Sequence, residues 1–242
     1  MIEQAAEKKE PLLDSAVKEF ARRGLLLCVA LFLIEVALFF VISGLPFFAG
    51  EQALYTSQSN QIGNEFQNAG LLATFWGIFT NNLRIGLIEM IPGIGLILFA
   101  FSIYATARIV EVDAISYSAP AALVFLSLFL FPHTYIELPA YAVATAEGLL
   151  LLYALFRWLF DSTGRSSVRW RTEGTQFVVN LAIVTVMLLV AALFEAVEIR
   201  LGGVLSLVTW IPFVVLVVVV LVLNRRLSRI RKEVRAAQNS VQ

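Results

Sequence analysis

Charge is scarce in this chain: 15% of its 242 residues are Asp, Glu, Lys or Arg, against 59% hydrophobic. Ordinary soluble domains carry about 25% charged residues, so the deficit excludes a typical water-soluble fold. Cysteine occurs once, at Cys28. That excludes an intrachain disulfide and a cysteine metal cluster, and its place in an apolar run reads as packing. Histidine also occurs once, at His133, and the chain has no His-Glu-x-x-His and no nucleotide-binding loop. A zinc site with one histidine is unusual, and any energy source has to be a gradient or a partner. The first 24 residues lack the apolar core of a signal peptide, so the first spanning helix itself is expected to drive insertion.

What is present is apolar sequence in long runs, such as Gly24–Gly44 and Val204–Leu223. A bilayer-crossing helix needs about 20 mostly apolar residues. The expected fold is all-α: a polytopic membrane helix bundle of six transmembrane helices plus a re-entrant or interfacial helix. Residues 1–23 read as a cytosolic amphipathic segment, 24–224 as the membrane domain and 225–242 as a basic cytosolic tail. The expected spans are Leu25–Ser43, Ile85–Ala107 (interrupted by Pro92, Gly93 and Gly95), Ala119–Phe131, a fourth ending near Trp158, Phe177–Phe194 and Val204–Leu223. Residues 45–70 read as a polar loop. The segment 71–82 is too short to span and has a polar end, so it reads as re-entrant.

Basic residues fix the orientation. The N-terminal segment holds five, the 157–174 connection four and the tail six, and Arg108 is assigned to a cytosolic turn over 108–118. Only Arg84 and Arg200 are left for the other side. The positive-inside rule then places both termini in the cytoplasm, in a multi-pass plasma-membrane protein. Arg225, Arg226, Arg229 and Arg231 in the tail suit anionic lipid headgroups better than nucleic acid.

Ionisable residues within membrane segments are costly and mark candidate sites. His133 and Glu137 are four residues apart and would share a helix face. At 100° per residue, His133, Glu137, Ala140, Ala144 and Glu147 fall within about 80° of one another. Asn82, Gly86, Glu89 and Gly93 form a second polar and small-residue face, expected to pack against the first. Interhelical hydrogen bonding, a proton or cation site, and the floor of an external cavity all fit this pattern. His133, Glu137 and Glu147 are the candidate metal ligands; no cofactor is expected. Glu35 lies mid-span and would meet Arg84 only if the re-entrant segment dips inward; a partner in another subunit fits equally. Glu195, Glu198 and Arg200 read as solvated charge at an outer helix end.

Three stretches resemble the stage II sporulation protein M family: Phe75-Trp-Gly-Ile-Phe-Thr-Asn-Asn82, Ile91-Pro-Gly-Ile-Gly95 and Phe131-Pro-His-Thr-Tyr-Ile-Glu-Leu-Pro-Ala140. Thr134 stands where the family pattern has glycine, and the His/Glu spacing is intact. The resemblance covers roughly residues 70–160 and marks Asn81, Asn82, His133 and Glu137 as family positions. In spore-forming bacteria it implies a membrane scaffold that holds peptidoglycan-degrading partners. The expected function is a non-enzymatic scaffold or assembly factor with an outward-facing polar cluster of Asn81, Asn82, Glu89, His133, Glu137 and Glu147. Its expected partners are the lipid bilayer and a protein partner or second copy. The alternative is an ion or small-solute transporter using the acidic cluster, motivated by the broken second span, although the two halves share no matched pattern of broken helices. A membrane metalloenzyme is a third class.

Overall fold

The computed structural model describes residues 12–160 and 168–240, with the side chains of 12–19, 23, 67, 227 and 230–240 left aside. Helix α1 (Leu12–Ile42) carries the first apolar run and passes without a break through the expected boundary at residue 23. It ends where Gly44 and Pro46 follow, since glycine and proline favour chain reversal over helix.

The polar 45–70 region contains a helix, α2 (Glu51–Asn68). Its low apolar content hid it from a periodicity reading. α3 (Leu71–Glu89) begins at the expected re-entrant segment and continues well beyond residue 82. The chain then breaks at 90–93: Pro92 has no N–H to give a helix, and Gly93 takes φ 84°, a left-handed conformation suited to glycine. α4 (Ile94–Ser116) returns antiparallel to α3 and absorbs the expected 108–118 turn. The expected span at 119–131 is not one: Pro120 and Pro132 bracket α5 (Ala121–Leu128), eight residues and about 12 Å at 1.5 Å per residue.

α6 (Thr134–Phe160) and α7 (Trp170–Leu201) form the centre of the bundle. Ala140, Ala144, Ala192 and Ala196 are fully buried in one cluster with Val184 and Leu188, and small residues let membrane helices approach closely. Gly148 serves the same purpose against the α3–α4 turn: a Cβ there would stand 2.7 Å from the Glu89 carbonyl oxygen. A 3-10 helix (Gly203–Thr209) leads into α8 (Trp210–Ser240). Trp210 donates through Nε1 to Leu130 O at 2.7 Å, and Phe213 meets Phe194 edge-on at 5.9 Å. Beyond that start α8 stands clear of the bundle, with Val217–Leu223 each 41–54% exposed.

Among the described residues, five stretches are long and apolar enough to cross a membrane: Gly24–Ile42, Ile94–Ser116, Thr134–Phe160, Trp170–Leu201 and Gly203–Arg226. The molecule is an all-helical integral membrane protein.

Arg108 is not in a cytosolic turn. It is fully buried in α4, where Nη1 donates to Leu45 O at 2.7 Å and Ile42 O at 3.2 Å, and Nη2 to Pro46 O at 3.3 Å. Its guanidinium also pairs with Glu111 at 2.5 Å and Glu51 at 3.3 Å. The end of α1, the start of α2 and the upper half of α4 therefore lie together. Glu51 also accepts from the Tyr104 hydroxyl and, at 2.8 Å, from Phe48 N–H. These hydrogen bonds, led by Tyr104, and the Arg108 charge hold the Glu51 carboxyl below its usual pKa.

Candidate functional site

A cavity of about 430 Å³ opens between α1, α2, α3, α4, α6 and α7, lined among others by Glu35, Asn82, Ser102, Glu137, Tyr141 and Glu195. A larger hollow of about 1080 Å³ runs along the polar face of α2, but it contains no buried charged group, so the smaller cavity holds the chemistry.

Two helices start this site and a third completes it. His133 sits immediately before α6, and its carbonyl accepts from Glu137 N–H at 2.9 Å. The first turn of α6 thus carries both residues on one side. Glu137 Oε1 accepts from Asn82 Nδ2 at 2.9 Å and from the Tyr141 hydroxyl at 3.1 Å. Asn81, exposed on α3, donates to Asn82 Oδ1 at 3.2 Å and so orients that amide. The third helix, α7, brings Glu195 and Glu198. Glu198 pairs with His133 Nδ1, and its other oxygen accepts from Thr209 Oγ1 at 3.0 Å. One potential ligand atom from each of His133, Glu137 and Glu195 lies within 4.8 Å of the others.

Glu195 and Glu198 are therefore not solvated surface charges, whereas Arg200 is exposed at the helix end, as expected. Glu198 is 5% exposed, Glu195 lines the cavity, and Arg200 Nη2 ties α7 to Phe66 O at 3.0 Å and Thr74 Oγ1 at 3.1 Å. The signal was in the sequence. Glu195 and Glu198 continue the buried α7 stripe of Val184, Leu188 and Ala191 at helical spacing, which turns them inward.

Glu147 belongs elsewhere. It lies ten residues beyond Glu137, about 15 Å along the helix axis, and its Oε2 accepts from Gln176 Nε2 at 2.9 Å and Asn180 Nδ2 at 2.6 Å. It clasps α6 to α7 and does not join the set containing His133 and Glu137. Glu89 is likewise fully buried, accepting from Ser102 at 3.0 Å and Thr145 at 3.4 Å. The α3 face does meet α6, at Asn82–Glu137 and Glu89–Thr145, whereas Gly86 packs on Leu188 and Val184 of α7.

Glu35 is 4% exposed, and its Oε2 has no hydrogen-bond partner. It faces the cavity and does not pair with Arg84, which is exposed on the other side of α3. Arg225, Arg226 and Arg229 are exposed on α8, as lipid headgroup contact requires; the Arg231 side chain is outside the described residues. The cavity thus concentrates Glu35, Glu137 and Glu195, with the exposed Glu65 at its rim, beside the chain's single imidazole. Such a site can hold protons or a cation, or present acceptors to a polar group.

No curated protein and no solved structure matches the chain. A family model described as Stage II sporulation protein M matches residues 27–197, which takes in the second half of α1 through most of α7, with the Asn81–Asn82 and His133–Glu137 motifs at the cavity. The chain belongs to the stage II sporulation protein M family.

Proposed function

We propose that the protein is a non-enzymatic membrane scaffold whose α8 receives a membrane helix of a partner protein. The observation that carries this reading is α8 itself. Its first half, Trp210–Leu223, is apolar on every side, yet beyond Phe213 it is left open by the bundle. A helix apolar all round is suited to burial on all sides, and helix association in lipid is driven by packing. The family supports the same reading, since its resemblance implies a scaffold.

The proposed topology has six crossings, α1, α3, α4, α6, α7 and α8, with α3 taking the place of the 119–131 segment. Both termini are cytoplasmic, in the plasma membrane. The basic residues of the N-terminal segment, the 157–174 connection and the tail support this orientation.

A photoreactive residue at Val218 tests the function in native membranes. The expected result is a discrete protein adduct at Val218 and lipid adducts alone from the same probe at Leu25, an exposed position on α1. An adduct between two copies identifies the partner as a second copy. Lipid adducts alone at Val218 overturn the reading.

A further inference from the structure

We propose that His133, Glu137 and Glu195 form a divalent transition-metal site in the wall of the polar cavity, with Glu198 as the positioning residue behind the imidazole. One ligand atom from each of the three lies within 4.8 Å of the others. Zinc bonds of 2.0–2.1 Å put neighbouring ligand atoms roughly 3.3 Å apart, so small side-chain rotations would close the site around an ion. One nitrogen and two carboxylates suit zinc, manganese or ferrous iron.

The surrounding contacts are those that metal ligands need. Glu198 holds His133 Nδ1, which leaves Nε2 as the free donor; it lies 3.4 Å from Thr134 Oγ1, a hydroxyl that already donates to Leu128 O. A carboxylate on the far nitrogen of a ligating histidine fixes its tautomer and raises its basicity. Asn82 and Tyr141 both donate to Glu137 Oε1, leaving Oε2 for an ion. An independent observation comes from across the cavity: Glu35 is 4% exposed and its Oε2 is unpartnered. A buried carboxylate without a donor is costly, and a cation in the shared cavity offsets that cost. With three protein ligands and the cavity beside them, a coordination position stays open to water or a small polar ligand.

This inference does not depend on the scaffold reading, because a metal can sit in a scaffold or in any other membrane protein. The test uses the full chain, in detergent, without a polyhistidine tag, after equilibrium dialysis against Zn2+. The expected result is one zinc per chain, lost in His133→Ala, Glu137→Gln and Glu195→Gln. Glu65→Gln, an exposed change at the cavity rim, retains the zinc. Glu198→Gln weakens binding by about 10–100-fold, as loss of a second-sphere partner does. No stoichiometric zinc in the wild type, or undiminished zinc in the ligand variants, overturns the proposal. Should those variants aggregate, nitrogen NMR of isotope-labelled histidine decides in the wild type, because His133 is the only histidine. Zn2+ must shift its Nε2 resonance and leave Nδ1 protonated; an unmoved Nε2 resonance rejects the site.

Discussion

Glu51 shows how much a single side chain can fasten. It receives hydrogen bonds from Tyr104 and Phe48 N–H and stands 3.3 Å from the Arg108 guanidinium. Its folded pKa is depressed below the ordinary 4.5, so its contribution is fully present above that value and is lost as pH falls through the folded pKa. Hydrogen exchange of the α2 amides, corrected for intrinsic rates, is therefore expected to accelerate as pH drops below 4.5. In Glu51→Gln, exchange is expected to be faster at neutral pH and to lose that acid dependence. An unchanged acid response in the variant would show that Glu51 does not hold α2. Other residues were legible in advance to different degrees. Helical angles brought Asn82 to Glu137, because both lie on regular helix. Glu195 and Glu198 were read with Arg200 as a solvated end, although their helical spacing from Val184, Leu188 and Ala191 turns them inward and Thr209 of the 3-10 helix hydrogen-bonds Glu198.

Two elements escaped a reading by hydropathy, and each for a physical reason. α2 has no apolar stripe; its fixed points are Tyr55, buried to 6% exposure, and polar links such as Ser59 Oγ to Asp113 at 2.8 Å. The 119–131 segment is apolar enough for a span, but prolines shorten its helix to eight residues. The break at Pro92 and Gly93 was legible because those residue types leave little choice of backbone. The α3–α4 turn then presses on α6 at Gly148. Gly148→Ala forces a Cβ to within 2.7 Å of a backbone oxygen, a clash expected to cost about 1–3 kcal/mol and to lower the thermal midpoint in detergent. Gly63→Ala, in α2 with nothing within 4 Å of the new Cβ, is the control, expected to gain about 0.5–1 kcal/mol. Equal midpoints for the two variants would refute the close-packing argument.

At the scale of the whole molecule, the basic-residue count gave an orientation but misplaced Arg108. A rule based on loop charge cannot recognise an arginine whose partners are buried carbonyls and carboxylates. With Arg108 beside the 42–51 connection, the proposed outer side carries Arg108 and Arg200, while Arg84 lies within the α3 crossing, five residues before its inward end. Cysteine labelling checks the arrangement in a Cys28→Ala background, which has no other thiol. A membrane-impermeant maleimide is expected to reach Gln58→Cys and Ser116→Cys in intact cells, and Ser228→Cys only after permeabilisation. Labelling of Ser228→Cys in intact cells would invert the topology.

The Arg108 clamp also bears on biosynthesis. The carbonyls at Ile42, Leu45 and Pro46 receive this donor from a residue more than sixty positions later in the chain. As the chain leaves the ribosome, the first helix emerges with that exit unlatched, and α2 has no anchor until α4 has been made. The α1–α2 connection therefore gains its latch only once Arg108 has been translated, and the far end of α2 is tied later still, by Arg200 at Phe66 O.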